Sequence, residues 1–468
     1  MFGSLCALAI RSNLGTTIVC MVNSTLSQGS DGASGNSSYD NSCPSPSSSH
    51  MEDFGYDGIL PWDSKTQGLM FSASSIGSFL LLLPAGFCAD RYSPRMITFS
   101  ALIISAVITY FSPWIANSSA YGFVVSRFLL GCAYGFIIPS FTAIASRWFV
   151  PNERSTLNAI HTSGVQLSGV FLGLVTPPLC SLKELGGWAS VYYLCSTLTI
   201  TWAVLWLCFS SNFPDQHRSI SDDEINYISE NMIVKKGQKK GIFPWRAAFM
   251  STPFLAVLLA RTTLVTQHQI MTFYTTSFIR DVLKSDLKSN GLFTTLPYIA
   301  SFIAKIGVSG FADHLKQRKV LSYNTSTRLF QTTGNFGIAL CFAILAVVAD
   351  CNHVFLSVSL LVLQAAFTTF VSPGMHTSAL SIAPLHAGGL HSVSMFIANL
   401  VSSAAPTFVG SILVHNTPNE WSIVFFSLAG INLLTGIFFA IFGSAEVQEW
   451  SKPTQNQLDQ VAPNRVSP

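Results

Sequence analysis

Apolar stretches of about 20 residues recur twelve times along this 468-residue chain, and no other feature constrains its fold as strongly. An α-helix of that length spans the roughly 30 Å hydrocarbon core of a lipid bilayer. Hydrophobic residues make up 49% of the chain and charged residues only 10%, a balance that excludes an ordinary soluble fold. The sequence therefore predicts an all-α, polytopic membrane protein. The predicted spans are 2–22, 68–87, 96–115, 120–141, 156–177, 188–210, 253–278, 291–311, 329–349, 354–374, 388–414 and 421–443.

A polar segment separates the first six spans from the last six. This division predicts a six-helix bundle at 1–210, a central loop at 211–252, a second six-helix bundle at 253–443 and a tail at 444–468. The two halves share a short motif, because Gly-Phe-Cys-Ala-Asp-Arg ends the second span at 86–91 and Gly-Phe-Ala-Asp-His ends the eighth at 310–314. Secondary carriers enclose a midplane site between two such duplicated halves.

Positive charge is distributed unevenly between the two sides of the predicted membrane protein. Outside the spans, sixteen Lys and Arg residues lie on the side that holds both chain ends, and five lie on the other. Because Lys and Arg concentrate on the cytosolic side, this bias predicts that both termini are cytosolic. The loop at 23–67 is then lumenal or extracellular, and the sequons at Asn36 and Asn117 are predicted glycosylation sites.

Four cationic residues lie within the predicted spans, namely Arg11, Arg127, Arg261 and Lys305, whereas all 22 acidic residues fall in predicted loops or tails. A charge near the centre of a bilayer costs about 2.5–3.5 kcal/mol, so such residues normally face a protein interior or an aqueous cavity. Because no carboxylate at membrane depth can neutralise them, we expect a small anionic substrate to bind there. We interpret Lys305 differently, since its long side chain can reach toward the cytosolic surface.

The chain lacks the sequence patterns of the common enzyme classes. It has no metal-ligand spacing, no glycine loop of the kind that binds phosphate and no nucleophile elbow. His161 and His268 lie within spans and His376 lies two residues after one, but no acidic residue at membrane depth is available to act with them. We therefore predict that the protein is not an enzyme, binds no metal, cofactor or nucleic acid, and is a monomer. Tyr134, His161 and His268 are instead candidates for lining the cavity.

Several longer stretches resemble a known group of carriers. Gly86, Asp90, Arg91 and Arg95 match the signature that the major facilitator superfamily carries between its second and third helices. Within that superfamily, the chain resembles the anion/cation symporter family, which includes sialin, the vesicular glutamate transporters and the type I sodium–phosphate cotransporters. The residues that carry this second resemblance are 11–23, 147–155, 187–193 and 213–228.

The resemblance implies a twelve-helix major facilitator fold and secondary active transport of organic anions or inorganic phosphate by alternating access. It also implies a plasma membrane, endolysosomal or vesicular location. Arg11 and Arg127 occupy positions at which the family coordinates its substrate or gates its cavity. The implied gate residues are Gly86, Asp90, Arg91, Arg95 and, in the second half, Asp313.

Two departures from the family pattern bear on energy coupling. Tyr134 replaces a glutamate that the family ties to proton coupling, and Phe71 replaces a histidine of the vesicular glutamate branch. Without a carboxylate at membrane depth, we expect sodium, voltage or the anion gradient to drive transport, and both Na⁺ and H⁺ stay open as coupling ions. Two alternative functions also stay open: a substrate-gated anion channel, and an anion-binding membrane receptor that does not transport.

Overall fold

The computed structural model describes residues 1–22, 58–148, 160–217, 220–231, 245–318, 321–383 and 387–451. These residues fold almost entirely into helices and contain no β-strand, which confirms the all-α prediction. Twelve long helices follow one another in the order expected from the apolar spans. Their bounds are α1 Phe2–Met21, α2 Ser64–Arg91, α3 Pro94–Ser118, α4 Ala120–Trp148, α5 Gly164–Ser181, α6 Ala189–Phe209, α7 Thr252–Asp281, α8 Leu287–Gln317, α9 Tyr323–Val348, α10 Val354–Thr368, α11 Ala387–Ser403 and α12 Pro418–Phe442.

Two of these helices are more polar than the others. Within the described residues, ten helices are both long and apolar enough to cross a membrane, and α2 and α7 are not among them. They have the length, but α2 begins with Ser-Lys-Thr-Gln and the middle of α7 carries Thr-Gln-His-Gln at 266–269. Polar residues on a spanning helix normally face the protein interior. This places α2 and α7 among the helices that line the space between the halves.

Two helices of the second half are irregular. After its regular part, α10 tightens into a 3-10 turn at Thr369–Val371, widens into a π-helical turn at Ser372–His376 and resumes as an α-helix at Thr377–Ile382. The Met375 amide in the wide turn donates a hydrogen bond of 2.9 Å to the Gln331 side chain of α9. α11 breaks at Ala404 and continues as Ala405–Ile412. Wide turns of this kind are frequent at functional sites.

The helices form two halves, α1–α6 and α7–α12. In the first half α4 packs against α2 and α3, and in the second α9 packs against α10 and α12. The halves meet along three helix pairs: α1 with α7, α2 with α11, and α5 with α8. We call the side of the molecule with Met1, Arg91 and Phe442 the terminal face, and the side with Met21 and Ser64 the loop face.

Glycines allow the two halves to approach closely toward the loop face. A Cβ atom added at Gly15 of α1 would lie 2.7 Å from the carbonyl oxygen of Thr272 in α7. A Cβ atom at Gly68 of α2 would lie 2.7 Å from the carbonyl oxygen of Pro406, beside α11. Neither distance leaves room for a side chain, so these glycines bring the backbones of the two halves into contact.

A continuous apolar cluster also joins the halves at the loop face. Phe71 of α2 stacks on Phe273 of α7 with ring centroids 4.6 Å apart, and both belong to this cluster. Toward the terminal face, by contrast, no atom among the described residues lies within 4 Å of a Cβ placed at Gly86 of α2 or Gly307 of α8. Among the described residues, the close backbone contacts between the halves therefore lie toward the loop face.

Candidate substrate-binding site

Arg11 lies in the middle of α1, which passes through the centre of the molecule. Its side chain is half-buried, and its guanidinium carbon lies 4.6 Å from the centre of the Tyr134 ring of α4. A cation above an aromatic face is held by the quadrupole of the ring without being neutralised. The structure thus brings two of the predicted site residues together and leaves the Arg11 charge free to attract an anion.

His268 of α7 approaches Arg11 from the other half. The two side chains are close enough to interact electrostatically, and the imidazole ring is solvent-accessible although it lies deep within the protein. The ring lines a small cavity between the halves, of about 20 Å³, together with Ser12 and Thr16 of α1 and Tyr298 of α8. A cavity of this size holds about one water molecule. His268 therefore contributes an imidazole from the second half to the surroundings of Arg11.

Arg127 of α4, predicted to share this cavity, is sealed inside the first half in this conformation. Its side chain is only 1% exposed. The guanidinium carbon lies 4.7 Å from the Phe123 ring centre and 5.2 Å from that of Tyr192. Nη1 donates a hydrogen bond of 3.1 Å to the Asn13 side-chain oxygen, whereas Nε and Nη2 have no partner among the described residues. Asn13 is two residues from Arg11, so α1 is linked to both arginines.

Arg261, the third predicted arginine, lies in the second half with three other ionisable side chains. It is 2% exposed. His376 of α10 lies within electrostatic reach of Arg261, of His391 of α11 and of Lys305 of α8. We call these four residues the second-half cluster. Arg261, His391 and Lys305 are all close enough to act electrostatically on the His376 ring, and Arg261 acts in the same way on His391.

Lys305 lies at the boundary between the halves. Its ammonium group donates a hydrogen bond of 3.2 Å to the hydroxyl of Thr162, two residues before α5 in the first half. The Lys305 side chain is half-buried there. Because Thr162 follows His161, which lies near the terminal face, this contact is compatible with a side chain that extends toward that face, and the extension to the cytosolic surface stays a prediction.

His161, another predicted site residue, is not beside Arg11. Its Nδ1 lies 3.2 Å from the Ser4 hydroxyl of α1, and its ring packs edge-on against Phe141 of α4. It lines a cavity of about 350 Å³ near the terminal face of the first half, together with Trp202 and Trp206. The structure therefore separates His161 from the Arg11–Tyr134–His268 group.

The predicted gate residues fall into three situations. No atom among the described residues, apart from the backbone of its own helix, lies within 4 Å of a Cβ placed at Gly86. Arg91 is exposed at the end of α2. Arg95 forms hydrogen bonds within its own half: its Nη2 donates to the Leu207 carbonyl, and its backbone amide donates to the Asn212 side-chain oxygen at 3.1 Å. The side chains of Asp90 and Asp313 lie outside the described residues. Of the predicted glycosylation sites, Asn36 also lies outside them, and Asn117 is exposed.

One acidic residue lies deeper than the sequence indicated. α7 continues to Asp281, three residues beyond the predicted end of its span, and Asp281 is only 5% exposed. Its carboxylate accepts a hydrogen bond of 2.7 Å from Nε of the adjacent Arg280, at the loop face. Among the described residues, no ion pair includes Arg11, Arg127, Arg261 or Lys305.

Sequence reasoning missed two residues of this region, Asn13 and His391. Asn13 carries no charge, and its position two residues after Arg11 gives no indication that it binds an arginine of another helix. His391 lies only four residues into α11, where a histidine is typical of a helix end near water. His391 would have been found only by considering every histidine within or beside a span as a candidate site residue.

Comparisons with known proteins agree with this architecture. A family model described as Major Facilitator Superfamily matches residues 1–327. Human sialin is 29% identical to this chain over 96% of the chain and 89% of its own length. Human sodium-dependent phosphate transport protein 1 is 28% identical over 96% of the chain and 92% of its own length.

Solved structures of transporters share the fold. The inward-open structure of the xylose transporter XylE from E. coli superimposes with a TM-score of 0.63 at 14% identity, covering 98% of both chains. The nucleoside transporter NupG superimposes with a TM-score of 0.64 at 12% identity, covering 94% of this chain and 97% of its own. The predictions of a major facilitator fold and of a non-enzymatic protein are confirmed. This chain belongs to the major facilitator superfamily and is a membrane transporter.

Proposed function

We propose that this transporter carries organic anions or inorganic phosphate and holds the anion at Arg11. The observation that carries the proposal is the Arg11 guanidinium, which lies on the Tyr134 ring in the middle of the molecule without an ion pair among the described residues. A guanidinium suits this role because it stays charged when desolvated and matches a carboxylate or phosphate with two parallel hydrogen bonds. The names of relatives that refer to phosphate transport support this substrate class.

Transport follows from alternating access of this site to the two faces. The close contacts between the halves at the loop face support a state in which Arg11 is reached from the terminal face. When the halves separate at the loop face, the contacts of Gly15 with Thr272 and of Phe71 with Phe273 must break. Arg127, which lies beside this apolar cluster but is covered by first-half residues, would be uncovered if α1 also moves relative to α4. We assign it the substrate contact of the opposite state, with His268 completing the Arg11 site in this one.

The setting of the protein forms part of the proposal. The excess of Lys and Arg on the terminal face supports cytosolic termini, in the plasma membrane or an endolysosomal or vesicular membrane. Asn117 then lies on the glycosylated side, and the protein acts as a monomer. The gate includes Gly86, Asp90, Arg91, Arg95 and Asp313, near the terminal ends of α2, α3 and α8.

The driving force is sodium, voltage or the anion gradient. An anion that moves alone into a positive compartment gains about 2.3 kcal/mol per charge per 100 mV, which corresponds to roughly fiftyfold accumulation. A pH gradient with voltage clamped by potassium and valinomycin, in sodium-free buffer, tests this assignment. No uphill uptake is expected, and uphill uptake would show proton coupling through an imidazole such as His268.

Uptake of labelled phosphate and a panel of labelled organic anions into proteoliposomes tests the function itself. A transporter gives saturable uptake and counterflow, whereas an anion channel gives neither, and a receptor binds the anion without moving it. Arg11→Gln should abolish uptake, while the matched control Arg328→Gln should not. Arg328 is a suitable control because it lies near the terminal face of α9, where its Nε donates to the Gly443 carbonyl. Normal uptake by a well-folded Arg11→Gln protein would refute the assignment.

A further inference from the structure

Two helices of the first half, α1 and α5, run side by side in the same direction, from the terminal face to the loop face. Near the terminal face, a Cβ atom placed at Gly164 of α5 would lie 2.7 Å from the Cβ of Ser4 in α1. About three turns further on, the hydroxyls of Thr16 and Thr176 lie 3.2 Å apart. Each contact joins residues that are 160 positions apart in the chain. The two helices therefore keep one register along their shared length.

This register pairs Cys20 with Cys180, one turn beyond the two threonines. Because residues four apart lie on the same face of a helix, both thiols point to the side on which Thr16 meets Thr176. Cys20 belongs to the apolar cluster at the loop face, and Cys180 packs against that cluster. Among the groups around the Cys180 thiol, the Cys20 thiol interacts with it most strongly. The two thiols therefore face each other between the loop-face ends of α1 and α5.

The thiol pair lies where an oxidant can reach it. Both cysteines are free in this structure, Cys20 is buried, and Cys180 is half-buried one residue before the end of α5. Cys351, in the connection between α9 and α10 at the same face, is disulfide-bonded. In the proposed orientation this face is lumenal or extracellular, where disulfides form and persist. The surroundings of the pair therefore favour oxidation through the more accessible thiol of Cys180.

We propose that Cys20 and Cys180 form a disulfide that joins the loop-face ends of α1 and α5. A low-molecular-weight disulfide such as oxidised glutathione supplies the oxidising equivalents. The Cys180 thiolate attacks one sulfur of this reagent and releases one thiol, and the Cys20 thiolate then attacks the mixed disulfide and releases the second. The two cysteines lose two electrons and two protons, and the reagent gains them. The inference rests on the proposed function only for the orientation of the loop face.

The bond joins two helices that both contact the second half. Gly15 of α1 packs against the Thr272 carbonyl of α7. A Cβ atom placed at Gly291 of α8 would overlap the Pro177 ring of α5. With the ends of α1 and α5 joined, these two contacts must separate together when the halves open at the loop face. The bond lies within the first half and does not cross-link the halves, so it is compatible with alternating access.

Mass spectrometry of the wild-type, full-length protein tests the bond directly. Cells that express the protein are lysed in denaturant with N-ethylmaleimide, which blocks every free thiol and stops later exchange. Digestion without reductant should give a peptide pair linked through Cys20 and Cys180, which dithiothreitol separates. In Cys20→Ser the Cys180 thiol should carry the label instead, and the deeply buried Cys195 should carry it in both proteins. Label on both Cys20 and Cys180 of the wild-type protein would overturn the proposal.

Thermal unfolding measures the effect of the bond on stability. The bond closes a loop of about 160 residues, so it should restrict the unfolded chain. Dithiothreitol should lower the unfolding midpoint of the purified wild-type protein by several degrees more than that of Cys20→Ser. The comparison with Cys20→Ser removes the contribution of Cys351, whose bond is reduced in both proteins. Equal shifts in the two proteins would count against the proposal.

The register itself is tested with cysteines placed one turn earlier, after both native cysteines of the pair are replaced by serine. Thr16→Cys combined with Thr176→Cys should cross-link when copper phenanthroline is added to the purified protein. Thr17→Cys combined with Thr176→Cys should not, because the Thr17 hydroxyl lies 3.2 Å from the hydroxyl of Tyr192 in α6. Cross-linking of both pairs or of neither would contradict the register. These measurements follow thiols rather than transport, so their failure is distinct from normal uptake in Arg11→Gln, which would refute the proposed function.

Discussion

Arg127 in the first half and Arg261 in the second are both almost completely buried, but their surroundings differ. Two aromatic rings lie against the Arg127 guanidinium, and Asn13 accepts one of its hydrogen bonds. Nε and Nη2 of both arginines lack an acceptor among the described residues, but no aromatic ring among those residues lies over Arg261, and Arg261 and Lys305 both act electrostatically on His376. The described protein contacts therefore stabilise the Arg127 charge more than the Arg261 charge.

This contrast separates two ways of keeping a charge inside a membrane protein. Aromatic faces and an amide dipole hold a guanidinium in a fixed position whether or not a ligand is bound. A group of like charges is unfavourable until an anion arrives, and its stability therefore depends on the ligand. We expect substitutions in the first half to affect the folded protein and its basic transport activity, and substitutions in the second half to affect mainly its response to anions.

The largest expected effect is on uptake, in Arg11→Lys. This change keeps the positive charge but replaces the planar fork with a point charge that cannot form two parallel hydrogen bonds. Initial uptake rates in proteoliposomes should fall by about tenfold or more. The same Arg-to-Lys change at position 261 should have a smaller effect. Equal losses of uptake at positions 11 and 261 would mean that Arg261 contributes as much to transport as Arg11.

Arg127→Met should destabilise the protein. It removes one hydrogen bond to a charged group and two cation–π contacts, which together contribute about 2–4 kcal/mol, and only part of this is offset by the lower cost of burying methionine. The midpoint of thermal unfolding in detergent, followed by tryptophan fluorescence, should fall by several degrees. An unchanged midpoint would show that Arg127 is no better accommodated than Arg261.

Arg261→Met should change the stability of the protein in the opposite direction from Arg127→Met, and by less. In anion-free buffer the variant should be more stable than the wild type by about 1 kcal/mol, because an unpaired buried charge beside other cations is removed. Sulfate should raise the unfolding midpoint of the wild type more than that of the variant. A variant that is less stable than the wild type without anions would show that the protein stabilises the Arg261 charge more than its described contacts account for.

The smallest expected effect is at Tyr134. Tyr134→Leu removes the ring beneath Arg11, a contact that contributes about 0.5–2 kcal/mol and fixes the position of the guanidinium. Anion affinity should fall a few-fold, measured by phosphate titration in nanodiscs. Tyr134→Phe keeps the ring and should behave like the wild type. If the phenylalanine variant loses as much affinity as the leucine variant, the hydroxyl rather than the ring supports Arg11.

Much of the fold could be predicted because each spanning helix carries its own signal. An apolar run of about 20 residues identifies a span wherever it lies in the fold, and Arg11 is recognisable because a charge in such a run is costly. The pairing of Arg11 with Tyr134 depends on how α1 packs against α4, so sequence reasoning could name both residues but could not join them. The bounds of α7 were harder, because Arg280 and Asp281 pair with each other and are buried where loop residues were expected.

The second-half cluster was beyond sequence reasoning for a different reason. Its members come from helices separated by up to 130 residues, and their proximity depends on the irregular course of α10. The wide turn at Ser372–His376 alters the direction of the residues that follow it, so helical periodicity does not give the orientation of His376. Likewise, the sealing of Arg127 depends on Asn13, whose side chain carries no charge that would reveal the contact.

Asn13 and Arg11 lie on the same helix, and their positions have a consequence for the path of the anion. Tyr134, which lies against Arg11, and Arg127, which binds Asn13, are seven residues or about two turns apart on the same face of α4, so both arginines lie where α1 meets α4. A movement of α1 relative to α4 that uncovers Arg127 would therefore also disturb the contact of Arg11 with Tyr134. The anion would be handed from one cation to the next partway through the membrane, and each carries it across only a fraction of the membrane's electric field.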